Sequence, residues 1–217
     1  MNRIERLVSA IPCCDVFADI GCDHGYVAEE LLKSGKCKTA YLSDISEKCL
    51  EKAKRLLSDY ISSGKAIAVV SDGFEKIPRC DCALIAGMGG EEIIKILSAA
   101  EKKGVLPDTL VLQPMKNFDR VRDCCVNGGY KITKDYVFYV KDKYYFLIVA
   151  ARGEDSLSAE EREFGRTNLS ELPPDFIRYV REENEKLSAI LNAGNLNDAE
   201  RNIITEKIKR LNAYAKS

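Results

Sequence analysis

The period of the hydrophobic pattern changes repeatedly along the front of the chain. Val16–Ile20 is a short apolar run ending at Gly21, the form of a strand buried on both faces of a parallel sheet. From Gly25 to Ser34 the spacing becomes helical, with Val27, Ala28, Leu31 and Leu32 on one side. Ala40–Ser43 predicts a second strand, and Glu47–Tyr60 a helix with Leu50, Ala53, Leu56 and Leu57 on its apolar face. Strands follow at Ala66–Val70, at Cys82–Ala86 and at Thr109–Leu112, with helices over Glu91–Lys102 and Asp119–Asn127. Two last runs, Lys131–Val140 and Tyr144–Ala151, are separated by a connection of hairpin length and are therefore antiparallel neighbours. The pattern predicts an α/β fold of five strand–helix repeats, with a mostly parallel sheet and an antiparallel last strand.

After Ala151-Arg-Gly153 the chain shifts to charged helix formers, which divides it into 1–153 and 154–217. Ser158-Ala-Glu-Glu161 fits a capping box. Pro173-Pro174 opens a long helix carrying Ile177, Val180, Leu187 and Leu191, and Asp198–Ala215 a second carrying Ile204, Ile208, Leu211 and Ala215. The short turn at 193–197, with Gly194 at a helix end, makes the pair an antiparallel helical hairpin of coiled-coil type.

Composition narrows the setting. The chain has 217 residues, 46% hydrophobic and 31% charged, in the range of soluble globular domains. Its longest apolar runs are strand-sized, and no signal peptide precedes Pro12, so a cytoplasmic protein with no membrane partner is expected. Nine cysteines without a Cys-x-x-Cys spacing, and His24 as the single histidine, favour reduced thiols and no metal site. The formal net charge of −1 supplies no overall basic field for nucleic acid.

Candidate chemistry collects at the strand ends, where open α/β sheets bind ligands. Asp19-Ile-Gly-Cys-Asp-His-Gly25 lies between the first strand and its helix, and Gly21 and Gly25 allow a sharp turn and close backbone approach. The middle position of this loop is Asp23. A dinucleotide pyrophosphate needs glycine there and would be repelled by a carboxylate, whereas S-adenosylmethionine has no phosphate and carries a positive sulfonium. Asp44, followed by Ile45, ends the second strand 23 residues after Gly21, where an acid can accept both ribose hydroxyls. Asp72-Gly73 ends the third, where a carboxylate can accept the adenine amino protons. Taken singly, Asp44 also fits a helix cap and Asp72-Gly73 a plain turn; in series behind a glycine loop they favour a cofactor site. Ala86-Gly87-Met88-Gly89-Gly90 and Gln113-Pro114-Met115 follow the fourth and fifth strands, beside the expected transferred methyl and its acceptor. The glycines there also fit a tight turn.

Together, Asp19-Ile-Gly-Cys-Asp-His-Gly-Tyr26, Ile85-Ala-Gly-Met-Gly-Gly90 and Leu112-Gln-Pro114 resemble the bacterial tRNA (adenine(22)-N(1))-methyltransferase family in order and spacing. Cys22 and Gly25 stand where that family often has Ser and Ala, and Met115 where it often has Asn. The resemblance implies a Rossmann-like class I methyltransferase sheet, S-adenosylmethionine as cofactor, and methyl transfer to N1 of an adenine in the D-arm region of tRNA. It implies catalytic parts for Asp23, His24 and Tyr26. It implies cofactor contacts from Asp19, Gly21, Asp23, Gly25, Asp44, Ile45, Asp72, Gly73, Ala86, Gly87 and Met88, and acceptor contacts from Gly89, Gly90, Gln113, Pro114 and Met115.

For Asp23 two tasks stay open, orienting the adenine amino group or touching the methionine end of the donor. His24 also reads as a helix-start residue bonded to backbone. Residues 156–217 hold ten Lys and Arg against eleven Asp and Glu, a net of −1, which suits a structural or dimerising hairpin. The resemblance instead implies a tRNA-holding arm on a monomer, with Arg178, Arg181, Lys207, Lys209 and Arg210 as a local phosphate-binding face. A methyltransferase for a small molecule or protein, and a non-catalytic module binding the donor or RNA, are the rival readings.

Overall fold

The structure is a computed structural model that describes residues 1–194 and 196–215; Asn195, within the expected turn, and Lys216 and Ser217 lie outside the described residues. Seven strands, β1 (Cys14–Ile20), β2 (Cys37–Asp44), β3 (Ala66–Val70), β4 (Cys82–Met88), β5 (Thr109–Pro114), β6 (Tyr130–Val140) and β7 (Lys143–Arg152), form one sheet in the order β3-β2-β1-β4-β5-β7-β6. β7 runs antiparallel to both β5 and β6, while β1 to β5 pair in parallel. This is the expected Rossmann-like methyltransferase sheet.

Helices cover both faces, which is why the central strands read as continuous apolar runs. On one face α1 (Arg3–Ala10), α2 (Tyr26–Lys33) and α3 (Glu47–Leu56) bury Leu7, Leu31 and Leu50 against Phe17 and Leu42. On the other, α5 (Gly90–Lys103) and α6 (Phe118–Asn127) bury Ile93, Leu97 and Val121 against Ile20, Ile85 and Leu112.

Three details differ from the pattern. The expected helix over Glu47–Tyr60 breaks at Leu57, which is fully buried, and continues as the short α4 (Ser58–Ser62). No helix follows β3. Phe74, Ile77 and Cys80 of the connecting segment bury themselves on the sheet instead, so one of the five expected repeats is a loop. The chain also begins with α1, which the pattern did not predict. A capping box holds its start: Glu5 N–H donates to Asn2 Oδ1 at 3.0 Å, and Asn2 N–H to Glu5 Oε2 at 3.0 Å.

The nine cysteines are free. Burial pushes Cys14 up to about 11 and Cys37 up to about 12, so these thiols stay protonated at neutral pH. No helix among the described residues is long and apolar enough to cross a membrane.

The second region closes the exposed edge of the sheet. It consists of α7 (Ala159–Phe164), α8 (Arg166–Glu171), α9 (Pro174–Asn192) and α10 (Asp198–Ala215), of which α8 was not expected. Four backbone N–H groups of edge strand β6 are capped by side chains from this region. Ile132 donates to Asp155 (2.9 Å), Asp135 to Thr167 (2.9 Å), Val137 to Asn168 (3.0 Å) and Tyr139 to Asp175 (3.1 Å). An uncovered edge is an open template for pairing with another chain, and these caps remove it. Beneath them Arg122 of α6 makes a two-pronged pair with Asp135 (2.6 and 2.9 Å), with both side chains fully buried. The same guanidinium donates to the carbonyls of Arg162 and Glu163 in α7.

α9 and α10 lie side by side. Phe176, Val180, Leu187 and Leu211 form their buried seam, while Ile177 and Leu191 are only half-buried. The expected phosphate-binding face is internally neutralised. Arg178 pairs with Glu182, Lys207 with Glu183, Lys209 with Glu206 and Arg210 with Glu163, and Arg181 donates to the Ala215 carbonyl.

Breaking a buried ion pair leaves an uncompensated charge in the interior, which costs about 3–5 kcal/mol. Arg122→Ala is therefore expected to lower unfolding free energy in urea by that amount. A loss below about 1 kcal/mol would show that the Asp135 carboxylate finds other partners.

Candidate active site

β1 is paired in parallel on both sides, and the chain leaves β1 toward one face through α2 and β4 toward the other through α5. The carboxyl ends of β1 and β4 therefore open at a topological switch point. A cleft of about 1040 Å³ lies there.

The loop after β1 is held by β2: the N–H groups of Gly21 and Cys22 both donate to the Ser43 carbonyl, at 2.7 and 3.0 Å. Gly21 turns at φ 73°, and the methyl of Met88 lies over it, 2.1 Å from where a Cβ would stand. Asp23 is in the left-handed region at φ 46°, uncommon for a residue with a side chain. It is secured by Lys52 Nζ on its Oδ1 (3.2 Å) and by its own N–H on Asp44 Oδ2 (3.3 Å). The ring of His24 stacks on Tyr26 with centroids 5.2 Å apart and planes 5° from parallel. Its Nε2 lies 3.4 Å from Lys52 Nζ and 3.6 Å from Asp23 Oδ2. Asp23, His24 and Tyr26 thus form one cluster at the cleft mouth.

Asp44 accepts the Ser46 N–H at 2.8 Å but does not cap α3, whose N-cap is Ser46 with its hydroxyl accepting the Cys49 N–H at 3.3 Å; Asp44 lines the cleft beside the exposed Ile45. Asp72-Gly73 is a turn and a cleft wall at once. Gly73 has φ 52°, a Cβ there would meet Ile96 at 2.9 Å, and its carbonyl accepts the Ser43 hydroxyl at 3.0 Å. Ala86, Gly87 and Met88 line the cleft at a β-bulge in β4.

Asp19, at the end of β1, is only 5% exposed. Burial pushes its carboxyl up to about 7, the Arg3 guanidinium pulls against that shift, and Asp44 adds to it.

The structure brings Asp19, Gly21, Asp23, His24, Tyr26, Asp44, Ile45, Asp72, Gly73, Ala86, Gly87 and Met88 together in the cleft lining. The other expected residues fall outside it. Gly25 begins α2 at φ 74° and packs on α3, where a Cβ would meet Leu57 at 2.8 Å. Gly89 starts α5, and Gly90 lets that helix touch the backbone after β5, since a Cβ would stand 2.5 Å from the Lys116 carbonyl oxygen. Gln113 and Pro114 are buried, and Met115 is exposed, with its N–H donating to the carbonyl of the cleft residue Met88 at 2.8 Å.

Several lining residues were not anticipated. Arg3, Ile4 and Leu7 come from α1 and Asn2 from its cap, Glu92 and Lys95 from α5, and Val140, Lys141 and Tyr145 from the β6–β7 hairpin. The Asn2-x-x-Glu5 capping box, with Ile4, Leu7, Val8 and Ile11 at helical spacing, was the available signal for α1. The hairpin turn at Lys141 and Asp142 (φ 49° and 60°) gave no sign in the sequence that it would reach the cleft.

With five carboxylates in its lining (Asp19, Asp23, Asp44, Asp72 and Glu92) against the cations of Arg3, Lys95 and Lys141, the cleft disfavours a pyrophosphate and suits a phosphate-free ligand bearing positive charge and ribose hydroxyls. That donor set fits S-adenosylmethionine. The fold and cleft define a Rossmann-like methyltransferase domain, and the chain belongs to the methyltransferase-domain family, whose model matches residues 1–148. Among its relatives, the tRNA (adenine(22)-N(1))-methyltransferase of Bacillus subtilis is 29% identical over 155 residues, 70% of this chain and 65% of that protein. Matches to the curated relatives span between 59% and 65% of their lengths. Solved structures align more fully. M. capricolum TrmK in complex with S-adenosyl-homocysteine has a TM-score of 0.85 at 28% identity, covering 99% of this chain and 96% of that one. A Streptococcus pneumoniae protein in complex with S-adenosyl-L-methionine has a TM-score of 0.89 at 26% identity, covering 99% and 100%.

The Asp19 environment has a testable consequence. A carboxyl raised by burial keeps its proton in the folded state up to about pH 7, whereas the unfolded chain loses it near pH 4. Stability without ligand therefore falls as pH rises from about 4 to 7, with the full cost present above 7. Asp19→Asn is expected to stabilise the ligand-free chain by up to about 4 kcal/mol at pH 8 and by almost nothing at pH 4. Equal effects in urea titrations at the two pH values would contradict this.

Proposed function

We propose that the chain is an S-adenosylmethionine-dependent tRNA methyltransferase that methylates N1 of adenine 22 in the D-arm region. The observation that carries the proposal is the cleft itself: the Gly21 turn, Asp44 and Asp72 at successive strand ends, in a chain that aligns over 99% of its length with the product-bound TrmK structure.

In this reading Asp44 accepts the ribose hydroxyls, Ile45 covers one adenine face and Asp72 accepts the adenine amino protons. Asp19 faces the donor's ammonium, and Gly21, Gly87 and Met88 bring the backbone close. The bound donor supplies an electrophilic methyl on a sulfonium. The N1 lone pair displaces it directly, the S–CH₃ bonding pair returns to sulfur, and no proton need leave N1, so positioning supplies most of the acceleration. Asp23, pinned by Lys52, accepts from the target's amino group and stabilises the cationic product. The stacked His24–Tyr26 pair, with Tyr26 48% exposed at the mouth, offers a ring face to a flipped base.

The tRNA contact is best sought around the mouth. On α9 and α10 a phosphate would have to displace a carboxylate from Arg178, Lys207, Lys209 and Arg210. Lys116, Lys141 and Lys143 are exposed and have no carboxylate partner among the described residues. The donor-binding domain is 1–153 and the helical domain 154–217, with the hairpin of coiled-coil type, a monomer as the working unit and the cytoplasm as the site of action. Because the second region caps β6, its removal is not expected to leave a well-behaved first domain.

Unmodified tRNA transcripts incubated with labelled donor are expected to gain N1-methyladenosine at a single D-arm adenine, read by nucleoside analysis and position mapping. No incorporation with donor binding intact would favour a small-molecule or protein acceptor, which the net charge of −1 also suits. Asp23→Ala is expected to slow single-turnover transfer by roughly 10²–10³-fold while leaving tRNA affinity within about twofold. An unaltered rate would remove Asp23 from the chemistry.

A further inference from the structure

The β6–β7 ribbon rises above the edge of the sheet on which the cleft opens. Ile20, Ile85, Leu112 and Ile148 stand at one level across β1, β4, β5 and β7, and the pairing of β5 with β7 runs as far as Leu112 and Ile148. β6 and β7 stay paired beyond that level to Val140 and Lys143, about 17 Å further at roughly 3.4 Å per residue.

A two-stranded ribbon without support is marginal in water, and this one is held from both sides. On one side Tyr136, Phe138, Val140 and Tyr145 share a core with Ile4 and Val8 of α1. On the other, Tyr144 meets Tyr179 of α9 edge-on at 5.2 Å, and the Arg178 guanidinium lies 3.8 Å from the Tyr139 ring centroid. At the tip Lys141 and Asp142 both turn at positive φ, 49° and 60°. The Tyr139 hydroxyl donates to Asp142 Oδ1 at 3.1 Å, which engages the tip's carboxylate.

Lys141 is therefore an exposed cation on a fixed support. Of Lys116, Lys141 and Lys143, it is the one that lines the cleft, together with Asp23, His24 and Tyr26. The other cations of the lining are engaged. Arg3 Nε and Nη2 both donate to Gln113 Oε1, at 3.0 and 2.6 Å, and Lys95 pairs with Glu92 at 3.7 Å. The five carboxylates of the lining repel an incoming phosphate backbone. A flipped nucleotide sends its base inward and leaves its phosphates at the mouth, so a free cation is needed at the rim.

We propose that the β6–β7 ribbon is a nucleic-acid-binding finger, and that Lys141 at its tip binds a backbone phosphate beside the flipped adenine and so sets how deeply the base enters. The inference rests on the tRNA reading above. It gives the helical region an indirect part in tRNA binding, since α9 holds the finger upright while its own cations stay paired with carboxylates.

The test is titration of the full chain with unmodified tRNA transcript in the presence of S-adenosylhomocysteine, at several salt concentrations, beside calorimetry with S-adenosylhomocysteine alone. Lys141→Ala is expected to weaken tRNA binding roughly 3- to 10-fold at low salt and to reduce the slope of log affinity against log salt by about 1. Its S-adenosylhomocysteine affinity should stay within about twofold, and Lys141→Arg should keep tRNA affinity within about twofold, because a phosphate accepts from either cation. Lys134→Ala removes the same charge from β6 away from the tip and should also leave tRNA binding within about twofold. An unchanged salt slope for Lys141→Ala, or equal losses for the two alanine variants, would overturn the proposal. Weakened S-adenosylhomocysteine binding with tRNA binding intact would assign Lys141 to the donor and overturn it as well. Each of these leaves tRNA methylation by the unaltered chain standing. An unaltered chain that binds S-adenosylhomocysteine but no tRNA would remove the tRNA reading itself and this inference with it.

Discussion

The arrangement depends on the parallel pairing of β1 with both β2 and β4. A strand paired on both sides cannot turn back within the sheet, so the chain must leave its carboxyl end in a loop above it. Because the crossovers on either side of β1 go to opposite faces, that end is not roofed by a helix. Gly21, Asp44 and Gly87 then arrive from three neighbouring strand ends at one opening, and Asp19 is buried at its floor. The cost of holding a carboxyl there is visible in its upward shift to about 7. A chain selected for stability alone would place Asn or an apolar residue at this position, and a site built to meet a cation would not.

The same sheet needs its other margin closed. β6 is an edge strand, and Asp155, Thr167, Asn168 and Asp175 answer its outward N–H groups one by one, over the buried Arg122–Asp135 pair. The helical region is thus part of the fold of the sheet as well as a surface of its own. Its cations are largely engaged with its own carboxylates, in keeping with its net charge of −1, so the phosphate-binding face that the family resemblance implies has little free positive charge.

Much of this was legible in the sequence because buried parallel strands leave a strong local mark. Each apolar run ending in Gly or Asp became a strand end at the cleft, and the charged stretch after β7 holds the helices α7 to α10. Three kinds of feature were not legible. α1 was hidden because Arg3, Glu5 and Arg6 break up the spacing of Ile4, Leu7, Val8 and Ile11 to the eye, although the pattern is present. The segment after β3 fills a helix's place with only Phe74, Ile77 and Cys80, too few residues to show a period. Glycines were the third. Gly21 and Gly25 look alike in sequence, yet one faces the cleft and the other packs on Leu57, a difference set by tertiary contacts alone. Tyr145 and Lys141 could not be placed at the site for a related reason, since the fold carries them there from across the sheet.

The most direct test of the central claim, that this opening is the donor site, is a crystal structure of the chain with S-adenosylhomocysteine. The account predicts the ligand in the cleft, its ribose hydroxyls on Asp44, its adenine between Ile45 and the Asp72-Gly73 turn, and its sulfur beside Met88. Ligand bound elsewhere, or seated with its ribose away from Asp44, would contradict it.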